Sequence, residues 1–257
     1  MGDKKSKVHP DSAQFCSITA ASQKDAQNFL DKYKKLDVAI DAFYNDPTQF
    51  GPLSPAAPAT STKGLVQIFD SFKDKDGDDI TIDGTIRFCE ALGVDPEDVV
   101  LLAIAYELKS PRLGQWTKQG WIDGWKNLGC DSLAGMKSAL GTLRTKLSND
   151  PAYFRKVYGH TFDFARQEGQ RSLGTDTAIP FWGLLLAHGQ KGGALTRRDG
   201  EQDIPMDGQG GWKPAYTDLW FEFLTSKNVK GISKDTWLMF LDFVRTINAD
   251  FSNYDME

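Results

Sequence analysis

The chain has 257 residues, enough for one large domain or a small unit followed by a medium one, and its 40% hydrophobic and 25% charged residues are ordinary for a globular protein. A net charge of −5 and a pI near 5.3 exclude a nucleic-acid-coating protein, which would be basic, and favour partners with basic surfaces. No apolar run has signal-peptide or membrane-spanning length, and Cys16, Cys89 and Cys130 form no CxxC or disulfide framework, so a soluble intracellular protein, cytoplasmic or nuclear, is expected.

Residues 11–45 read as three short helices. Ala26, Phe29, Leu30 and Tyr33 recur at i, i+3, i+4 and i+7 in the middle one, and Ser22 with Asp25 resembles a capping box. Val38, Ala39, Ala42 and Phe43 share one side of the third. A unit over residues 11–46 has a very small core. Residues 47–63 carry Pro47, Pro52, Pro55 and Pro58 among Ala, Ser and Thr, and read as a semi-extended linker ahead of a second domain over residues 64–257.

Leu65, Ile68, Phe69 and Phe72 open that domain as one helical face. The acidic turn KDKDGDD, a β-like piece Ile80-Thr81-Ile82, and a helix bearing Thr85, Phe88, Cys89 and Leu92 follow. Asp95-Pro96-Glu97 reads as the start of a helix that is apolar nearly all round over residues 99–106, the pattern of a central buried helix. Gln115-Trp116-Thr117 and a helix with Trp121, Ile122 and Trp125 repeat the phrase. Two tandem helix–loop–short strand–helix units would let the short strands pair, as in EF-hand proteins.

Leu133, Met136, Leu140, Leu143 and Leu147 mark a further helix, and Asp150-Pro151 opens another with Phe154, Val157, Tyr158, Thr161, Phe162 and Ala165. Thr175 reads as the cap of a helix containing Ala178, Phe181, Trp182 and Leu185. The glycine-rich stretch 188–213 reads as a long flexible insertion. After Pro214, Tyr216, Leu219, Trp220 and Phe223 share a face; Gly231-Ile232-Ser233 then leads into a helix with Trp237, Leu241 and Val244. The expected fold class is all-α: a three-helix unit, then a helical domain on tandem degenerate EF-hand-like units.

Chemistry-bearing constellations are scarce. Asp74, Asp76 and Asp78 match the first ligand positions of a calcium loop, but Asp79 stands where glycine belongs and Thr85 where the bidentate glutamate belongs. A degenerate scaffold is the reading, with a calcium sensor as an alternative. His9, His160 and His188 have no metal-site spacing. Cys89 shares an apolar face, and Cys130 precedes a helix without a neighbouring base, so neither reads as a nucleophile. No metal, cofactor or catalytic residue is expected.

The strings IDGTIRFCEALGVDPEDV (82–99), LGCDS (128–132), YFRKVYGHTFDFARQEGQRSL (153–173), AIPFWGLLL (178–186), ISKDTW (232–237) and NYDME (253–257) resemble the potentiating-neddylation domain of the defective-in-cullin-neddylation family. LDVAIDAFYNDP (36–47) is similar to the end of the UBA-like domain that precedes it in many members. The resemblance implies a scaffold-type E3 without bond chemistry of its own. Such a scaffold binds the N-acetylated amino terminus of the neddylation E2 and the cullin C-terminal winged-helix region. With a RING subunit it orients the E2 thioester toward the cullin lysine; ubiquitin is a further partner through the UBA-like unit, and a pure ubiquitin-binding adaptor is the other alternative.

The resemblance maps the E2 pocket onto Ile82, Thr85, Leu101, Leu102, Ile104, Ala105, Leu113, Gly114, Trp116, Phe164, Phe181 and Leu184. Thr85 stands where many members carry a larger aliphatic residue. The cullin patch maps onto Asp235 of KDTW. The family's further patch residues, an alanine and a second aspartate, follow the NYDME-like string and would lie beyond Glu257, so the chain reads as shortened at its C-terminus.

Overall fold

A computed structural model describes residues 9–19, 21, 23–45, 61–195, 197–199, 202–204 and 211–254. Ser22 of the expected capping box, residues 47–60 of the linker, and part of 188–213 lie outside these. The chain divides into two compact units, Met1–Ser61 and Thr62–Glu257, each with its own core.

The first unit comprises α1 (Ser12–Thr19), α2 (Gln23–Tyr33) and α3 (Leu36–Asn45). The expected stripe of α2 buries Ala26, Phe29 and Leu30 against Phe15 of α1 and Ala39 and Phe43 of α3. Rings of Phe15, Phe29 and Phe43 meet pairwise at 5.9, 5.7 and 5.4 Å. The Tyr44 hydroxyl donates to the Ile18 carbonyl at 3.0 Å, tying α3 to α1. Val38, expected on the inner side, is exposed. The inner stripe of α3 is the i, i+4 pair Ala39 and Phe43, and the preceding residue lies about 100° round the helix.

The second unit begins with α4 (Thr62–Phe72), α5 (Ile82–Leu92), α6 (Val100–Glu107) and α7 (Lys118–Asn127). The α4–α5 and α6–α7 loops meet at one antiparallel bridge, where Ile80 and Trp116 exchange N–H···O=C bonds of 3.1 and 2.9 Å. Only Ile80 of the expected β-like piece is paired. Thr81 takes the N-cap position of α5, its hydroxyl held by Asp74 at 2.6 Å, and Ile82 is already helical.

Asp95-Pro96-Glu97 is likewise a turn, not the first turn of α6. The Glu97 N–H donates to Asp95 Oδ1 at 2.8 Å, and the helix starts later because Asp98 Oδ1 accepts from the Val100 N–H at 2.8 Å. Val100 through Ala105 are buried without a break, as the all-round apolar pattern requires.

There follow α8 (Leu133–Asn149), α9 (Pro151–Ala165), β1 (Leu173–Gly174), α10 (Thr175–Gly189), β2 (Arg197–Asp199), β3 (Gln202–Ile204), α11 (Pro214–Ser226), β4 (Gly231–Ile232) and α12 (Lys234–Thr246). Ser132, Asp150 and Ser233 accept N–H bonds as caps of α8, α9 and α12. Thr175 does not cap α10: it is the first helical residue, and Gly174 holds the cap position. β1 pairs antiparallel with β4, and β2 with β3.

The stretch 188–213 is more ordered at its ends than an insertion requires. α10 runs to Gly189, Ala194 and Leu195 are buried, and Trp212 is buried with its indole N–H on Thr217 Oγ1 at 2.9 Å. On α11 the face expected from Tyr216, Leu219, Trp220 and Phe223 is turned partly outward. Leu219 and Phe223 are exposed, whereas Thr217 and Leu224 are buried and Trp220 stacks on Phe240 at 4.7 Å.

The centre of this half is a stack of Tyr158 (α9), Trp237 (α12) and Trp182 (α10), with centroids 4.7 and 4.8 Å apart. The Trp182 indole N–H donates to the Tyr158 hydroxyl at 2.6 Å, which donates to the Trp237 carbonyl at 2.7 Å; the Trp237 indole N–H donates to the Tyr158 carbonyl at 2.9 Å. Three helices are thereby fixed to one another, with every polar atom of the cluster partnered, as burial demands.

Candidate functional site: an apolar cavity and its acidic lip

The loop 113–116 is held from three sides. The Leu113 N–H donates to the Phe164 carbonyl at 3.1 Å, Trp116 is bridged to Ile80, and the Trp116 indole N–H donates to Thr85 Oγ1 at 2.7 Å. Thr85 Oγ1 lies 2.8 Å from the Thr81 carbonyl and 3.2 Å from that of Gly114. A larger aliphatic residue at position 85 would lack this acceptor. Gly114 adopts φ +67°, and a Cβ there would stand 2.9 Å from Ile82 Cγ1. Only glycine fits this backbone and this approach.

Around that loop lies a cavity of about 720 Å³, within the range of small-ligand sites. It is walled by Ile82, Thr85 and Ile86 of α5, residues 96–98, Leu101 and Leu102 of α6, Leu113, Gly114, Trp116, Phe164 at the end of α9, and Pro180, Phe181, Gly183 and Leu184 of α10. Its edge is apolar and open to solvent: Ile82 is 62% exposed, Leu113 59%, Ile86 41% and Leu184 37%. Four large apolar groups exposed around one concavity mark an interaction surface more than scattered surface hydrophobes do.

The structure thus gathers Ile82, Thr85, Leu101, Leu102, Leu113, Gly114, Trp116, Phe164, Phe181 and Leu184 around one space. Ile104 and Ala105 are not brought there. They lie one turn further along α6, fully buried in the core. Ile86, Pro96, Glu97, Asp98, Pro180 and Gly183 line the cavity without having been anticipated. Ile86 was within reach of sequence reasoning, one helical turn after Ile82, and Pro180, Gly183 and Leu184 follow i, i+3, i+4. The 96–98 lip was not, because residues read as a helix start are in fact a turn.

Asp98 is half-buried, with Arg144 Nη2 at 2.7 Å and Nε at 3.3 Å. Burial pushes its carboxyl up, but the Arg144 hydrogen bond and the Val100 N–H outweigh that and leave it below its ordinary value. Behind Phe164, the His160 ring lies 5.9 Å from the rings of Tyr106 and Phe164. Burial holds His160 below the ordinary histidine range, against the opposing pull of Asp163.

Asp235 is exposed in the first turn of α12, apart from the cavity-lining residues. Its neighbour Lys234 pairs with Asp163 at 2.6 Å. In the acidic loop, Asp74 and Asp79 accept bonds from Thr81 (2.6 Å) and Gln115 (2.7 Å), and Lys73 Nζ donates to the Gly77 carbonyl at 2.7 Å. One of the carboxylates aligned with calcium-ligand positions, Asp74, is thus engaged by a protein hydroxyl, and no cluster of three metal-ligating side chains occurs among the described residues. Burial pushes the Cys89 thiol up to about 11, with the Asp95 charge adding to it, and raises Cys130 as well. No helix among the described residues is long and apolar enough to cross a membrane.

Comparison with known proteins supplies the family. Residues 135–257 match the cullin-binding family model, and residues 11–49 match the UBA-like domain. The chain is 40% identical to Defective in cullin neddylation protein 1 of Cryptococcus neoformans, over 94% of this chain and 86% of that protein. It is 34% identical to the protein of the same name from Mycosarcoma maydis, over 95% and 88% of the two chains, and 29% identical to that of Yarrowia lipolytica, over 89% and 81%. Two helical units, the second carrying an apolar cavity open to solvent, and this identity along nearly the whole length lead to one conclusion: the chain belongs to the defective-in-cullin-neddylation family.

Proposed function

We propose that this protein promotes cullin neddylation as a scaffold, holding the N-acetylated amino terminus of the neddylation E2 in the cavity between α5, α6 and α10 and a cullin winged-helix region at Asp235. Family membership supports the role in cullin neddylation and the cullin as partner. The observation that carries the E2 assignment is the cavity itself, apolar in its walls and along its exposed edge except at the Glu97–Asp98 lip.

An apolar terminal side chain is stabilised there by about 25 cal/mol for each Å² removed from water. A free α-ammonium would lose hydration as it entered; acetylation removes that charge and with it the desolvation penalty. The scaffold then works by proximity. Holding the charged E2 and the cullin together raises their effective concentration, and no side chain of the scaffold needs to join the reaction.

Calorimetric titration with acetylated and plain E2 amino-terminal peptides tests this reading. The acetylated form should bind at least about tenfold tighter, roughly 1.4 kcal/mol. Equal affinity would remove the pocket assignment. Leu184→Asp, on the exposed edge, should abolish binding without lowering the melting temperature. Asp235→Ala should slow cullin modification in a reconstituted reaction while leaving peptide affinity unchanged. The match of residues 11–49 to the UBA-like domain supports ubiquitin binding by the first unit as a second function.

A further inference from the structure

The cavity is apolar on every side but one. Of its lining residues only Glu97 and Asp98 carry charge, and none is basic. The two are adjacent on one turn, but their circumstances differ. Asp98 is half-buried, with Arg144 at 2.7 Å. Glu97 is exposed. Its N–H is anchored on Asp95 Oδ1 at 2.8 Å, which sets residue 97 at the lip, and among the described residues its carboxylate makes no ion pair or hydrogen bond. Asp95, itself exposed, adds negative charge beside it.

We propose that Glu97 is a specificity-determining residue of this cavity, selecting peptides that carry a basic side chain within a few residues of the buried apolar terminus. The proposal rests on the cavity's being a peptide-terminus site. A chain that seats its terminal side chain among Leu101, Leu102 and Phe164 must leave past the edge. A cation crossing at Glu97 meets an unpartnered carboxylate next to apolar surface, where a charge pair is screened less than in open water. An exposed pair of this kind is worth about two- to fivefold in affinity, and added salt weakens it.

The test uses the full chain, its Glu97→Gln variant and, as a control away from the cavity, Glu90→Gln. The probes are short N-acetyl-Met peptides of otherwise neutral sequence, with Lys or Gln at the second, third or fourth position, each also made with a free terminus. Wild type and Glu90→Gln are expected to prefer one acetylated Lys peptide over its Gln counterpart by about two- to fivefold. In Glu97→Gln, and at high salt, that preference, taken as the ratio of Lys-peptide to Gln-peptide affinity within each protein, should collapse toward unity.

Three outcomes would overturn the proposal while leaving the peptide-terminus reading intact. One is equal binding of Lys and Gln peptides by wild type; another is a Lys preference that survives in Glu97→Gln. The third is an effect of Glu97→Gln confined to free-terminus peptides, which would make the α-ammonium the cation that Glu97 receives. If the neutral acetylated peptide bound neither protein, the peptide-terminus reading itself would fall, and the proposal with it.

Discussion

Thr85 shows how one hydroxyl shapes an apolar site. It is buried, yet indispensable to Trp116, whose indole N–H has it as acceptor at 2.7 Å. Thr85→Val, nearly isosteric, should destabilise the fold by about 1–3 kcal/mol by orphaning that N–H, measured by urea unfolding; Thr85→Ser should restore most of the loss. His160 gives a pH prediction. Its folded pKa lies below the ordinary value of about 6.5. Above that value the imidazole is neutral whether folded or not, and its contribution is complete. As pH falls through about 6.5 the unfolded chain takes up the proton first, so stability is lost down to the folded pKa and then levels off. His160→Phe should remove this portion of the slope, seen in unfolding midpoints compared at about pH 7.5 and about pH 5.5.

At the scale of elements, α9, α10 and α12 are joined through Tyr158. Tyr158→Phe leaves the ring stack in place but removes the acceptor for Trp182 and a donor to the Trp237 carbonyl. The expected cost is about 1–3 kcal/mol, read from chemical denaturation. Most elements were legible in the sequence, because caps and 3.6-residue periodicity are local signals. Asp150 and Ser233 stand where their helices begin, and the inner face of α2 was as spaced. The rotation of α11 was not legible. Its apolar residues ring enough of the helix to allow more than one face, and the packing of Trp220 on Phe240 chose the one that buries Thr217 and Leu224.

For the molecule as a whole, the two cores differ greatly in size. Among the described residues the core of the first unit is small, with seven buried apolar side chains, whereas the second has one continuous core running from Leu65 to Ile247. Amides of α1–α3 should therefore exchange with solvent well before those of α6 and α9 in native-state hydrogen exchange. Equal protection in the two units would mean that the first is stabilised by more than its own core. The cavity's lining residues all belong to the second unit, so on the proposed reading its affinity for an acetylated peptide should be unchanged when the first unit loosens on mild heating.

The helical class, the three-helix opening, some helix starts and the positions of ten cavity-lining residues were legible in the sequence and its family resemblance. Each follows from a local preference or from a motif that this chain carries intact. The tertiary structure alone decided that Ile104 and Ala105 face away from the cavity, that residues 96–98 form a charged lip, and that Ala194, Leu195 and Trp212 are packed parts of a stretch that reads as flexible. Those outcomes depend on which neighbour covers a side chain. Periodicity tells which face of a helix is covered, but which distant element covers it, and where a cavity is left, depends on contacts between residues far apart along the chain.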